Sequence, residues 1–190
     1  VAAAVARFGG IDILVNNASA ISLTGTLQTP LKRFDLMFGV NVRGTFLCSQ
    51  ACLPHLLRSA NPHILTLSPP LNMDPKWFGP HVAYAMAKYG MSQCVLGMAE
   101  EFRDAGVAVN ALWPRTVIHT AALAMIPGID PANCRSPQIM ADAAHAVLIA
   151  PSRARSGCFL IDEDVLRGTG VSDFSGYAVE PGKPLLPDLF

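Results

Sequence analysis

Short, mainly apolar runs alternate along the chain with longer segments in which apolar residues recur at helical spacing. The short runs fall at residues 11–15, 63–68, 107–112 and 158–162. Short, mainly apolar runs of this length are typical of strands that are buried on both faces of a parallel sheet. The helical patterns cover residues 30–54, 81–104 and 136–150, and an Ala-rich segment at residues 1–8 also favours a helix.

The alternation of strands and helices predicts an α/β fold, namely a doubly wound, Rossmann-like parallel sheet with helices on both faces. Residues 165–190 are rich in Gly and Pro and show no clear periodicity, so we expect an irregular tail there. No linker or change of composition divides the chain. We therefore predict a single domain over residues 1–190.

Composition narrows the choice of partners. Of the 190 residues, 51% are hydrophobic and 15% are charged, and the formal net charge is zero. The chain is long enough to form a core, and a neutral chain gives no reason to expect binding to nucleic acid or to an anionic membrane surface. No apolar run approaches the ~20 residues that a membrane-spanning helix needs. We expect neither a nucleic-acid partner nor a membrane span.

The five cysteines are scattered, without a C-x-x-C pair or the clustering of a zinc site. This pattern favours reduced thiols, and it leads us to expect no metal site. No secretory signal precedes the first helical segment. We therefore expect a reducing, cytoplasmic location.

Tyr84 and Lys88 lie four residues apart within the predicted helix 81–104. Four residues advance a helix by roughly 6 Å and leave both side chains on one face. An ammonium group about 4 Å from the phenol, at an effective dielectric constant near 20, would favour the phenolate by ~4 kcal/mol. We therefore expect Lys88 to lower the pKa of Tyr84 from about 10 toward the range of a general acid or base. The same spacing also occurs by chance on solvent-facing helices.

Other polar residues follow the predicted strands or interrupt an apolar helix. Residues 16–19 (Asn-Asn-Ala-Ser) end the first strand, Ser68 ends the second, and residues 114–120 follow the third. The carboxyl ends of strands are where open α/β sheets bind their ligands. Asn41 is a polar residue within an apolar helix, and from the residues alone it is either a site residue or an ordinary helix Asn with satisfied hydrogen bonds.

These segments together resemble the short-chain dehydrogenase/reductase family over nearly all of residues 1–165. Residues 16–19 are similar to its N-N-A-G segment with Ser19 in place of Gly, and Asn41 falls on its active-site Asn. Tyr84 and Lys88 match its Y-x-x-x-K pair. Residues 114–120 are similar to its P-G-x-V-x-T loop, with Arg115 replacing the Gly.

The resemblance implies an NAD(P)-dependent oxidoreductase that acts on a carbonyl or secondary alcohol, with a small apolar and even lipid-like or steroid-like substrate. The implied catalytic residues are Tyr84, Lys88, Asn41 and Ser68. The implied cofactor-binding residues are Asn16, Asn17, Ala18, Ser19, Tyr84, Lys88, Pro114, Val117 and Thr120. The cofactor is NAD or NADP, with no preference readable, and the family also leads us to expect a homo-oligomer. If the source is eukaryotic, the resemblance leaves the peroxisome and the mitochondrion open as locations.

Two departures from the family pattern bear on activity. The family places a substrate-orienting Ser after its second strand in this region, but here Pro69 follows Ser68, so Ser68 is either a shifted replacement or a simple strand-end Ser. The chain also contains no T-G-x-x-x-G-x-G turn, which would supply phosphate-binding amides, and we expect the first strands of the family fold to be missing. These departures support an alternative function, a non-catalytic family fold that serves as a dimerisation or ligand-binding module.

Apolar residues near the site have two interpretations. Trp77, Phe78, Met73 and Met125 either line an apolar substrate cleft or pack in the core or in a lid.

Overall fold

The computed structural model describes residues 1–126 and 128–188, without the side chains of Ala124 and Met125, so the expectation for Met125 lies outside the described part. Four strands form one sheet: β1 (Ile13–Asn16), β2 (His63–Thr66), β3 (Ala108–Trp113) and β4 (Phe159–Ile161). They lie in the order β1-β2-β3-β4, and every neighbouring pair is parallel. All residues of the central strands β2 and β3 are buried, which fits their mainly apolar composition.

In the described part of the chain, six α-helices accompany the sheet: α1 (Ala2–Phe8), α2 (Leu31–Met37), α3 (Gly44–Leu56), α4 (Val82–Glu101), α5 (Gln138–Leu148) and α6 (Asp162–Gly168). Helices α3 and α4 pack on one face, where Leu56 and Val95 join a cluster with Val109 of β3. Helices α5 and α6 pack on the other face, where Ile139 and Leu166 join a second cluster. The predicted α/β fold with a parallel, Rossmann-like sheet and helices on both faces is confirmed.

The predicted helix over residues 30–54 is not one regular helix. A π-helix (Phe38–Arg43) lies between α2 and α3, and α3 continues past Pro54 to Leu56. A π-turn holds one residue more than an α-helical turn, and such turns often occur at functional sites. Here it contains Asn41, whose fully buried side chain bonds the loop after β1 rather than its own helix.

The structure also differs from the prediction near β4. The strand runs from Phe159 to Ile161, and α6 begins at Asp162, so the predicted strand 158–162 is one residue too long at each end and part of the expected irregular tail is helical. Three acidic residues occupy the first turn of α6, where negative charge stabilises a helix. A helix of seven residues is too short to give a clear periodic signal.

Within residues 1–126 and 128–188, no helix combines the length and the apolar character that crossing a lipid bilayer would need.

The contact between α4 and the π-helix gives a stability prediction. A Cβ atom on Gly90 would lie 2.7 Å from Cγ2 of Val42, a β-branched side chain with little freedom to move. We expect Gly90→Ala to lower the free energy of unfolding by about 1–3 kcal/mol through overpacking, as measured by urea denaturation.

Gly97→Ala is the matched control on the same helix, because a Cβ there meets nothing within 4 Å. We expect this variant to gain about 0.5–1 kcal/mol from helix propensity. Equal stability of the two variants would contradict the close contact.

Candidate active site

The carboxyl ends of β1, β2 and β3 bring the polar segments to one edge of the sheet. Because the three strands are parallel and adjacent, Asn16, the residues after Thr66 and the residues after Trp113 share that edge. Helix α4 packs against β2 and β3 and carries Tyr84 and Lys88. The fold therefore places the segments selected from the sequence around one region.

Lys88 is buried almost completely, with 3% of its surface exposed. Its Nζ donates to the carbonyl oxygen of Leu67 at 2.7 Å, and it lies 3.7 Å from Sδ of Met91 and 4.9 Å from the ring centre of Trp113. Burial lowers the pKa of Lys88 to about 8, and the carboxylate of Asp188 opposes part of that shift. Lys88 can therefore exchange a proton near neutral pH.

Tyr84 is buried in a cluster with Met37 and Ala87, against which Ala20 and Ile21 also pack. Burial raises the pKa of its phenol well above the ordinary value, and the Asp188 carboxylate raises it further. The expectation that Lys88 lowers the pKa of Tyr84 is therefore wrong for the chain as described. Burial removes the water that would stabilise the phenolate, and the Asp188 carboxylate adds a like charge.

The side chain of Asn41 joins the π-helix to the loop after β1. Its Oδ1 accepts from the N–H of Ala20 at 2.7 Å, and its Nδ2 donates to the carbonyl oxygen of Ala20 at 3.0 Å. Since Ala20 packs against the cluster that contains Tyr84, Asn41 positions this loop beside the phenol. The side chain is thus a satisfied structural amide, and a direct role in proton transfer stays a prediction.

Within the segment 16–19, the first side chain is buried and supports the strand end, and the other three are exposed. Asn16 is buried, and its Nδ2 donates to Oγ of Ser49 at 3.1 Å and to Oγ1 of Thr66 at 3.4 Å, which ties β1 to α3 and β2. The next three residues, Asn17, Ala18 and Ser19, are exposed. The exposed residues leave the backbone open to a ligand, whereas Asn16 holds the strand end in place.

Ser68 lies on a backbone segment that α4 holds on both sides. Lys88 donates to the Leu67 carbonyl, and Oγ of Ser92 donates to the Pro69 carbonyl at 2.6 Å. Oγ of Ser68 is buried and has no hydrogen-bond partner among the described residues. Because an unpaired buried hydroxyl is costly, this atom is suited to a ligand that supplies the missing bond.

In the loop 114–120, Pro114 and Val117 are half-buried and Thr120 is exposed. The N–H of Val117 donates to the carbonyl oxygen of Leu186 at 3.0 Å, and its own carbonyl accepts from the N–H of Arg135 at 3.0 Å. Arg115 forms ion pairs with Glu163 and Asp164 on α6. The replacement of the family Gly by Arg115 thus ties the loop to α6.

Residues 184–188, which we call the C-terminal strap, lie along this loop. Asp188 donates its N–H to the carbonyl oxygen of Arg115 at 3.2 Å, and Pro187 forms an antiparallel bridge with Thr116. The carboxylate of Asp188 is close enough to act on both Tyr84 and Lys88. Sequence reasoning missed the strap because backbone contacts of an irregular segment leave no side-chain pattern.

The surroundings of the site are partly apolar. Trp77 and Phe78 are half-buried and Met73 is exposed, so the cleft and lid interpretations both stay open for this loop. A groove beside Thr120 is lined mainly by apolar side chains: His119, Ala121, Leu123, Ile126, Ile129 and Pro131. The described residues contain no group of three or more His, Cys, Asp or Glu side chains that could hold a metal ion.

Comparison with known proteins identifies the family. Residues 1–152 match the family model described as Enoyl-(Acyl carrier protein) reductase, and the solved structures similar to the chain include several short-chain dehydrogenases/reductases. The chain belongs to the short-chain dehydrogenase/reductase family.

Individual members of the family are similar to the chain over almost its whole length. The chain is 64% identical over 188 residues to hydroxysteroid dehydrogenase-like protein 2 of Danio rerio, covering 98% of this chain and 45% of that protein. It is 58% identical over 189 residues to the protein of the same name in Homo sapiens, covering 98% and 44%. The chain thus spans less than half the length of these curated relatives.

Solved structures give the same result for the fold. A candidate dehydrogenase from Xanthomonas campestris is 63% identical, with a TM-score of 0.97, over 100% of this chain and 70% of that one. A short-chain dehydrogenase from Mycobacterium thermoresistibile is 53% identical, with a TM-score of 0.92, over 100% and 68%. The angucycline C-6 ketoreductase LanV with bound NADP shares the fold, with a TM-score of 0.71 over 85% and 65% at 23% identity.

The buried Lys88 predicts a dependence of stability on pH. Its pKa is about 8 in the folded chain against an ordinary value of 10.5, so between these values the unfolded chain binds the extra proton. Folding stability gains from this group as the pH rises above 8. We expect the stability deficit of Lys88→Met relative to the parent to grow by roughly 1–3 kcal/mol from pH 8 to pH 10.

Urea unfolding of both proteins across this pH range measures the difference. Lys76→Met is the control, because Lys76 is exposed on the loop before α4. A deficit of Lys88→Met that stays constant with pH would show that Lys88 titrates normally.

Proposed function

We propose that the chain carries the catalytic residues of an NAD(P)-dependent oxidoreductase that interconverts a carbonyl and a secondary alcohol. The observation that supports this most directly is the burial of Lys88 one helical turn from Tyr84, where the ends of parallel strands meet. A buried ammonium group with a pKa near 8 is costly and is typical of sites at which charge does chemical work.

Tyr84 is the proposed acid and base at the substrate oxygen. In reduction its hydroxyl donates a proton to the carbonyl oxygen, and in oxidation it accepts the proton of the alcohol. Since burial keeps the pKa of Tyr84 high, the phenol retains its proton until a further positive charge approaches. Ser68 would donate its unpaired hydroxyl to the same substrate oxygen, as a shifted replacement for the family's Ser.

Lys88 and Asn41 support this proton transfer in the proposal. The Lys88 ammonium group supplies positive charge beside Tyr84 and would hold ribose hydroxyls of the cofactor. Asn41 keeps the loop after β1 against the Tyr84 cluster, and it would sustain a water relay toward Lys88.

The described residues fit the nicotinamide half of a cofactor. The Val117 N–H already binds a carbonyl oxygen, which is the acceptor that a carboxamide would offer. Asn16–Ser19, Pro114 and Thr120 would line the ribose and phosphate side. When bound, the nicotinamide would supply or accept the hydride. The proposal leaves the choice between NAD and NADP open.

The proposed substrate is small and apolar, and a lipid-like or steroid-like compound fits best. The groove beside Thr120 offers aliphatic side chains such as Leu123 and Ile126, and apolar pockets with few polar groups favour such ligands. The name of the Danio rerio relative, hydroxysteroid dehydrogenase-like, points to the same class.

Removal of the Tyr84 hydroxyl tests the proposal. We expect Tyr84→Phe to reduce kcat by about 10²–10⁴-fold on any accepted substrate, because the variant lacks the proton donor. Nicotinamide absorbance in the native protein measures turnover.

Tyr177→Phe is the matched control, since the Tyr177 hydroxyl binds Asp142 and is not part of the site. Unchanged turnover in Tyr84→Phe would rule out the role of Tyr84. Cofactor binding without turnover in the parent would favour the alternative, a non-catalytic ligand-binding module.

We further propose a homo-oligomer that pairs α3 and α4 with those of a second copy. An apolar groove runs between the π-helix and α4, lined by Phe38, Val42, Phe46 and Cys94, and Phe46 is 47% exposed. Asp35 and Arg43 also line this groove, and a large exposed apolar side chain such as Phe46 beside half-buried apolar neighbours is typical of interfaces.

Phe46→Glu should therefore convert the oligomer to smaller species, because a carboxylate would be buried unpaired at the interface. Light scattering after size-exclusion chromatography measures the mass. Leu27→Glu is the control, since Leu27 is 94% exposed in the loop before α2. An unchanged mass for Phe46→Glu would exclude this interface.

A further inference from the structure

The C-terminal strap occupies the backbone position that the proposed cofactor needs. The N–H of Val117 donates to the carbonyl oxygen of Leu186 at 3.0 Å. In the proposed function, the same N–H binds the carboxamide oxygen of the nicotinamide. One N–H cannot make a full-strength hydrogen bond to both acceptors, so the strap and the nicotinamide compete for Val117.

A second contact lies on the other side of the same site. Asp188 is anchored by its N–H to the Arg115 carbonyl at 3.2 Å, and its carboxylate acts on Tyr84 and Lys88. This negative charge lies near the ammonium group that would hold the ribose hydroxyls. Two separate atoms of the strap thus face two separate contacts of the proposed cofactor.

We propose that residues 184–188 are an internal ligand of the nicotinamide subsite, and that binding of the cofactor displaces them. The strap covers the Tyr84–Lys88 pair before the cofactor binds and opens when the nicotinamide reaches Val117. This inference rests on the proposed function, because it takes the cofactor to bind at this loop.

The strap is held by few bonds, as a displaceable segment requires. Pro184 and Pro187 have no N–H to donate, and the bonds that pair the strap with the loop include those from Val117 to Leu186 and from Asp188 to Arg115. The other anchor is Asn133, whose Nδ2 donates to the carbonyl oxygen of Pro184 at 2.6 Å and whose carbonyl accepts from the N–H of Leu186 at 3.0 Å. Residues 184–188 are all exposed or half-buried.

Asn133→Ala tests the strap without altering the proposed cofactor contacts, because Asn133 contacts the strap but is not among the proposed cofactor residues. Loss of its side-chain bond should increase the open fraction, and apparent affinity rises with the fraction of competent molecules. We expect the Kd for NADH or NADPH, measured by nucleotide fluorescence in the native protein, to fall about two- to tenfold.

Asn61→Ala is the matched control. Asn61 also bonds backbone through its side chain, to Ala150 and Ser152, but it precedes β2 at the opposite end of the sheet. Its substitution should leave the Kd unchanged.

Hydrogen exchange measures the displacement directly. Added cofactor should speed exchange in the peptide that covers residues 184–188, and Asn133→Ala should speed it without cofactor. If the cofactor binds while this exchange stays constant, and Asn133→Ala binds like Asn61→Ala, the strap inference is wrong and the proposed function stands. If neither NADH nor NADPH binds, the proposed function fails, and the displacement fails with it.

Discussion

A buried ammonium group is the constraint on which the site depends. Transfer of a lysine charge out of water is costly, so the protein must replace its hydration shell with fixed partners. Lys88 takes these partners from three parts of the chain: the Leu67 carbonyl after β2, the Met91 sulfur on α4 and the Trp113 ring at the end of β3. Helix α4 can provide this environment only when it crosses the carboxyl ends of both strands.

The same contacts explain why Tyr84 and the Ser68 segment are fixed in place. Ser92 on α4 holds the Pro69 carbonyl on the far side of Ser68, and Asn41 holds the loop that packs against Tyr84. Neither arrangement needs Tyr84 to be ionised. The main electrostatic demand of the site is therefore the solvation of one cation, Lys88.

The elements that position the site could be predicted from the sequence where burial imposes a pattern. Residues 63–66 and 108–113 are buried on both faces, which favours apolar side chains, and their mainly apolar runs predicted β2 and β3 to within two residues at each end. Tyr84 and Lys88 could be paired because helical spacing is fixed. The partner of Asn41 could not be predicted, because it is backbone: any residue except proline at position 20 offers the same N–H and carbonyl group.

The same limit explains why the sequence did not predict the raised pKa of Tyr84 or the contacts of the strap. The pKa of Tyr84 was predicted from Lys88 alone. The direction of its pKa shift depends instead on the exclusion of water and on Asp188, which is 104 residues further along the chain. The strap makes its contacts through Leu186 and Asp188 backbone atoms, so its side chains carry no trace of the pairing. Sequence patterns report burial and spacing well, and they report main-chain pairing of irregular segments poorly.

The π-helix between α2 and α3 requires a fixed number of residues in this segment. One residue in an α-helix corresponds to a rotation of about 100°, and the turn at Phe38–Arg43 holds one residue more than α-helical geometry would. Removal of any single residue there would let α2 run smoothly into α3, but it would turn Asn41 away from Ala20 or Val42 away from Gly90. The length of this segment is therefore as much a part of the site as any side chain, and natural variation in it should take the form of substitutions rather than insertions or deletions.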